Sequence, residues 1–229
     1  MHGSMSVFIL DDVWHTDDPY YYLFFGRAAA PTRDAEFVRP RIPSFLSMDV
    51  EQRVLRFDSM SKILSSGLRI GFVTGASALL RAIELHMQST VLHTSGVSQA
   101  LVAKLLTAWG VAGWESHLNC IALFYARKRD LCVAAARRHL EGVARFNTPD
   151  AGMFLWIELL AGVRDSRLLI TQKAVDAKVL FVPGAAFDPT PSGGGAWSRH
   201  VRAAYSTLRD NEFDTAFTRL ASLLRAKQE

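Results

Sequence analysis

Apolar residues fall into short runs over the first third of the chain and take up helical spacing after residue 76. Val7 to Leu10 is an apolar run short enough for a buried strand, closed by Asp11 and Asp12. An aromatic cluster, Tyr20 to Phe25, follows Thr16-Asp17-Asp18-Pro19. The stretch Gly26 to Pro43, with Ala28-Ala29-Ala30-Pro31 and Pro40, reads as loop. Arg53–Asp58 and Leu68–Thr74 predict two strands. From Ala76, the spacing of Leu79, Leu80, Ile83, Leu85 and Met87 predicts a helix. A second helix is expected over Ser98 to Trp109, with Leu101, Val102, Leu105 and Leu106 on one face and Gly110 at its end. A third, long helix is expected from Trp114 to Leu140, its buried stripe formed by Leu118, Ile121, Phe124, Tyr125, Leu131 and Ala135. Short strands follow at 144–147 and 152–159, then a helix over 165–177. Strands at 179–182 and 200–205 precede a closing helix over 212–226.

This order suggests two parts. Residues 1–110 read as strands and helices of a larger α/β layer, and residues 111–229 as a small α+β unit led by the long helix. The first part holds too few strands to make a closed sheet by itself, so it is expected to be a piece of a domain whose beginning is missing. With 229 residues, 49% hydrophobic, 21% charged and a mean hydropathy of +0.11, the chain is too apolar to be disordered. Lys plus Arg number 26 against 22 Asp plus Glu, a net charge of +4. The basic residues are scattered except for Arg127-Lys128-Arg129 and Arg137-Arg138, which read as a solvated helix face, and no nucleic-acid partner is expected.

No apolar run reaches the roughly 18–20 residues of a membrane span. The segment MHGSMSVFILDD lacks a basic n-region, and Met1-His2-Gly3-Ser4 reads as an alternative start or an added tag. Cys120 and Cys132 would sit about 18 Å apart on one helix, too far for a disulfide. Without a C-x-x-C spacing they make no zinc site, and His15, His86 and His93 show no ligand spacing either. The expectation is a soluble, metal-free protein of a reducing compartment, cytoplasmic or mitochondrial.

The richest stretch is Ser59-Met60-Ser61-Lys62-Ile63-Leu64-Ser65-Ser66-Gly67-Leu68-Arg69-Ile70-Gly71. It sets a lysine directly after a predicted strand, among hydroxyl residues, with an arginine seven positions on. Ser59 and Ser61 can donate to phosphate oxygens, and Arg69 offers a planar charged fork. A partly desolvated lysine beside a cation has a lowered pKa and attacks carbonyls. From spacing alone, a Ser-rich loop with an ordinary surface lysine stands equally open.

The pattern S-x-S-K-x-x-x-x-G-L-R-x-G resembles the cofactor-lysine motif of the class I/II aminotransferases, the fold-type I pyridoxal-phosphate enzymes. DDPYYYL at 17–23, PSFLSMD at 43–49, AGMFLWIEL at 151–159, VLFVPGAAF at 179–187 and HVRAAYS at 200–206 fall in family order. Together they are similar to the kynurenine/α-aminoadipate aminotransferase branch. The resemblance implies an α/β fold: the C-terminal part of a cofactor-binding large domain (1–110) and a small α+β domain (111–229), without the family's N-terminal half. It implies pyridoxal 5'-phosphate as cofactor and Lys62 as the catalytic lysine that carries it. Asp17 would pair with the pyridinium nitrogen and Tyr20 would meet the phenolic oxygen, while Ser59, Ser61 and Arg69 would hold the phosphate. Arg202 would grip the substrate α-carboxylate. An N-cap or turn is the plainer use of Asp17, and an exposed strand-edge arginine that of Arg202. Phe154 and Phe187 match aromatic substrate-side positions, although core packing is the expected use. The substrates implied are an amino acid and a 2-oxo acid, and the complete protein would be a homodimer.

Two departures from the family stand out. The family's further phosphate contacts, its ring that stacks on the cofactor and its asparagine at the phenolic oxygen have no counterpart here. The loop 24–42 is also longer and richer in Ala and Pro. A truncated inactive fragment, an aminotransferase-like domain of a transcription regulator and a lyase on the same scaffold are the rival readings.

Overall fold

Short apolar runs bounded by turns build a first sheet. In the computed structural model, which describes residues 6–10, 12–31, 37–160, 162–188 and 197–226, β1 (Ser6–Leu10) and β2 (Val13–Asp17) form an antiparallel hairpin. Met1 to Ser4 and positions 32–36 of the expected 26–43 loop lie outside the described residues. The strand β3 (Val54–Ser59) runs parallel to β2, and β4 (Gly71–Thr74) antiparallel to β3. Successive strand residues point to opposite faces. Thr16 pairs with Arg56 on one face, and Asp17 pairs with Phe57 on the other. Strand β2 was not expected, because Val-Trp-His-Thr-Asp lacks a sustained apolar alternation.

The helix α1 (Ser77–Thr90) and the helical stretch α2 (Gly96–Leu140) follow. At Gly110 the backbone leaves the helical region, with φ 57° and ψ −169°. The two helices expected on either side of that glycine therefore exist, joined across a sharp break. The buried stripe after the break matches expectation at Leu118 and Ala135 and differs elsewhere. Leu118, Ala122, Leu123, Ala126, Cys132, Val133, Ala135 and Ala136 are buried, whereas Phe124 and Leu131 point outward, and so does Leu101 before the break. The inward face is built largely of alanine, so ranking positions by side-chain size selects the wrong face. Arg129 is also a correction, because this member of the presumed solvated run is completely buried. Its guanidinium donates to the carbonyls of Ala28 (2.6 Å) and Pro149 (2.9 Å) and pairs with Asp130 at 2.7 Å.

A second sheet is antiparallel throughout, in the order β5 (Ala144–Phe146), β6 (Phe154–Leu159), β8 (His200–Ala204), β7 (Val182–Pro183). The alternation is clean. Leu155, Ile157, Leu159, Val201 and Ala203 are buried, while Phe154, Trp156, Glu158, His200 and Arg202 on the other face are partly open. The expected strand over 179–182 forms only at its last residue. The expected 165–177 helix forms over residues 167–176, with a π-type turn at Leu169–Lys173 leading into α3 (Ala174–Asp176). The helix α4 (Glu212–Arg225) buries Phe213, Phe217, Leu220, Ala221 and Leu224.

The chain divides into two compact units. The first holds Met1–Gly26, Pro31–Phe124 and Asp150–Gly152, and the second Arg27–Ala30, Tyr125–Pro149 and Met153–Glu229. The unit boundary thus falls inside α2. Both cysteines are free, and burial pushes the Cys132 thiol up to about 12, so it is unreactive. Among the described residues, no helix is long and apolar enough to cross a membrane.

Candidate active site

The Lys62 loop leaves β3 and returns through β4. Its base is tied by the Met60 N–H donating to the Ile70 carbonyl at 3.0 Å. A tight turn, Met60–Lys62, opens the loop, with the Ser59 hydroxyl accepting the Ser61 N–H at 3.2 Å. Both Ile63 and Leu64 donate to the Met60 carbonyl, at 3.3 and 2.8 Å. A second turn, Ser66–Leu68, is capped in the same way by Ser65, which accepts the Gly67 N–H at 3.3 Å. Arg69 then adopts the left-handed region, with φ 51° and ψ 44°. That conformation costs a non-glycine residue about 1–2 kcal/mol, and here it is the step that turns the chain back toward β4.

Three charges in this unit are uncommitted. The Lys62 ammonium lies 5.7 Å from the centre of the Tyr20 ring and, among the described residues, has no carboxylate partner. Arg69 is exposed, and among the described residues its guanidinium donates only to the Ser66 carbonyl of its own loop, at 3.2 Å. Asp17 is exposed at the end of β2 and makes no ion pair among the described residues. The turn after it is closed by Asp18, whose carbonyl accepts the Tyr21 N–H at 3.1 Å, so Asp17 is not the turn-forming residue.

Beside these open charges lies a fully paired cluster. Arg56 donates from Nε and Nη2 to the two carboxylate oxygens of Asp58, both at 2.8 Å, and its Nε lies 3.5 Å from Asp18. Its guanidinium stacks over the Tyr21 ring at 4.0 Å. Burial pushes the Asp18 carboxyl above its ordinary range, and Arg56 opposes that push. Burial also favours loss of the Arg56 charge, but the hydrogen bonds to Asp58 together with the charges of Asp58, Tyr22 and Asp18 outweigh it and hold the guanidinium protonated. This cluster fixes the ends of β2 and β3, from which Asp17 and the Lys62 loop emerge.

In the second unit Arg202 is on an interior strand, between β6 and β7, so it is not a strand-edge residue. Its guanidinium lies over the rings of Phe154 at 4.1 Å and Phe187 at 4.6 Å. Phe187 is exposed and Phe154 only partly covered, so the two rings flank a cation on an open sheet face instead of packing a core. Trp156 extends the same surface, stacked on His200 with 5.4 Å between ring centres. Among the described residues Arg202 has no acidic partner, which leaves its fork available to a carboxylate.

The family profile of the aminotransferases of class I and II matches residues 16–220. The chain belongs to that family. It is 42% identical over 209 residues to the mitochondrial kynurenine/alpha-aminoadipate aminotransferase of Rattus norvegicus, an alignment that covers 91% of this chain and 45% of the relative. Among solved structures, the aminotransferase Aro8 from Candida albicans superposes with a TM-score of 0.78 at 29% identity, covering 93% of this chain and 50% of that one. The alpha-aminoadipate aminotransferase LysN from Thermus thermophilus, solved with N-(5'-phosphopyridoxyl)-L-leucine, gives 0.77 at 29% identity, with 93% and 50% covered. The chain spans about half the length of the curated relatives it matches. Its α/β structure is that of the fold-type I pyridoxal-phosphate-dependent transferases, and the class depends on that cofactor.

Sequence reasoning missed the Asp18–Arg56–Asp58 cluster and the stacked Trp156–His200 pair. A signal for the first was present: Arg56 and Asp58, two apart within a strand, must share a face. No grouping of His, Cys, Asp and Glu among the described residues could hold a metal ion.

Proposed function

We propose that this protein catalyses pyridoxal-phosphate-dependent transamination between an L-amino acid of the aminoadipate, kynurenine or aromatic type and a 2-oxo acid. One observation carries the reading: Asp17, Lys62 and Arg69 are charged, belong to one unit and make no ion pairs among the described residues, although Arg56 and its carboxylates close by are fully paired. Such a set fits a ligand with a cationic ring nitrogen, an aldehyde and a dianionic tail. When bound, the cofactor supplies an electron sink for the carbanion formed at the substrate α-carbon.

The chain's own residues then have distinct tasks. Lys62 would hold the cofactor through Nζ, and the same nitrogen would be the base that takes the substrate α-carbon proton. The Asp17 carboxylate keeps a proton on the ring nitrogen, and the Tyr20 hydroxyl meets the phenolic oxygen. Ser59, Ser61 and Arg69 bind the phosphate. Arg202, between its two aromatic rings, takes the substrate α-carboxylate in a two-pronged pair. The first unit serves as the partial cofactor-binding large domain and the second as the small domain. The complete protein works as a homodimer in the cytoplasm or, like the rat relative by its name, in mitochondria.

A second reading, a fragment that binds cofactor weakly, is favoured by the absence of any buried residue in β4 and α1. Titration with pyridoxal phosphate, followed by addition of aminoadipate, kynurenine or glutamate, separates the two. Transamination predicts a visible absorbance that each productive amino acid bleaches. No absorbance from this chain, with full absorbance once it is extended to the length of its relatives, supports the fragment reading. No response from either sinks the proposal.

A further inference from the structure

We propose that His117 is a positioning residue for Lys62, an inference that rests on the reading of Lys62 as the cofactor lysine. The His117 Nε2 lies 2.7 Å from the carbonyl oxygen of Ile63, the residue directly after Lys62. A carbonyl can only accept, so the ring donates its Nε2 proton. The two residues are 54 apart in sequence, so this bond ties α2 to the lysine turn. The turn is then held on both sides of Lys62: by the Met60 N–H to Ile70 carbonyl bond before it, and by His117 after it. The Ile63 side chain, 1% exposed, anchors the same residue.

The imidazole is itself held. Trp109 lies over it with 4.6 Å between ring centres, and Trp114 at 6.1 Å. In an unbroken helix, residues 109 and 117 would be about 12 Å apart along the axis, beyond ring contact. The break at Gly110, whose positive φ suits glycine, brings the two rings together. Gly113 leaves the room, since a Cβ there would come within 2.9 Å of the Trp109 Cβ. The break in α2 is therefore part of the device that fixes the lysine loop.

Amide hydrogen exchange read by mass spectrometry on the intact chain tests this, together with borohydride fixation of pyridoxal phosphate on lysine. In His117→Phe, exchange across residues 60–70 is expected to rise roughly five- to tenfold, the equivalent of one lost hydrogen bond. Fixation at Lys62 should fall by a similar factor, while peptides from β6 and α4 exchange as in the parent. His117→Gln keeps a side-chain N–H and should restore most of both losses. Unchanged exchange in His117→Phe, or equal losses in the two variants, overturns the proposal. Should His117→Phe unfold, Trp109→Leu keeps the donor and frees the ring. It is expected to speed exchange across 60–70 by a smaller factor, and no change there overturns the proposal as well. A parent chain that fixes no cofactor at Lys62 defeats the cofactor reading, while the exchange comparison still decides the role of His117.

Discussion

The two units bury their apolar residues differently. In the second, the inner face of the sheet and one face of α4 are closed: Leu155, Ile157, Val201, Phe217 and Leu220 are all within 2% of full burial. In the first, β4 and α1 contain no buried residue, and Phe72, Leu85, Val91 and Leu92 are exposed. An isolated helix of 14 residues is marginal in water and depends on packing of its apolar face. The sequence of the first unit therefore encodes a surface that its own residues do not cover. The second unit follows the rule that a sheet buries one face against helices, whereas β4 and α1 of the first leave their apolar residues open.

The sharpest way to break this comparison is a matched pair of truncations. Phe217→Ala in α4 should cost about 3–5 kcal/mol, the range for a buried phenylalanine. Leu85→Ala in α1 should stay within about 0.5 kcal/mol, because its side chain is already half exposed. Equal losses in urea unfolding would mean that α1 is covered after all. Next in size is Arg129→Met. It removes a fully buried guanidinium from the Ala28 and Pro149 carbonyls and from Asp130, with an expected loss of about 3 kcal/mol. A variant as stable as the parent would show that packing of the stem, not the charge, holds the segment 27–30.

How much of this was legible depends on what each pattern encodes. Strands β1, β3, β6 and β8 announce themselves through short apolar runs, and Gly110 marks its helix break correctly. The buried stripe of α2 is legible at Leu118 and Ala135 but misleads elsewhere, because Ala122, Ala126 and Ala136 face inward while Phe124 and Leu131 face out. Arg129 reads as surface charge, since nothing local reveals the distant carbonyls of Ala28 and Pro149 that it meets. The Lys62 loop is legible because its chemistry lies within thirteen consecutive residues. The Asp18–Arg56 contact and the bond from His117 to Ile63 span long sequence separations and leave no local trace.

Acid–base behaviour sharpens the contrast at smaller scale. Burial raises the Asp18 carboxyl above its ordinary 3.8 despite Arg56, so the folded chain holds that proton more firmly than the unfolded one. Its contribution to stability declines as pH rises from 3.8 through the raised folded value. Asp214 behaves oppositely. Hydrogen bonds from Arg138 and His139 lower its carboxyl, and its stabilisation is lost as pH falls from 3.8 toward the folded value. Thermal melts across this range should show Asp18→Asn flattening the decline above 3.8 and Asp214→Asn flattening the decline below it. The Asp214 effect is the smaller, because that pair is exposed to solvent. The opposite assignment in either variant would remove the electrostatic account of that cluster.

The central claim concerns one amine. Incubation with pyridoxal phosphate, reduction with borohydride and peptide mapping should place the added group on Lys62, with Lys62→Ala abolishing it and Arg69→Ala weakening it. Label spread evenly over Lys104, Lys128, Lys173 and Lys178, with no preference for Lys62, would contradict the account.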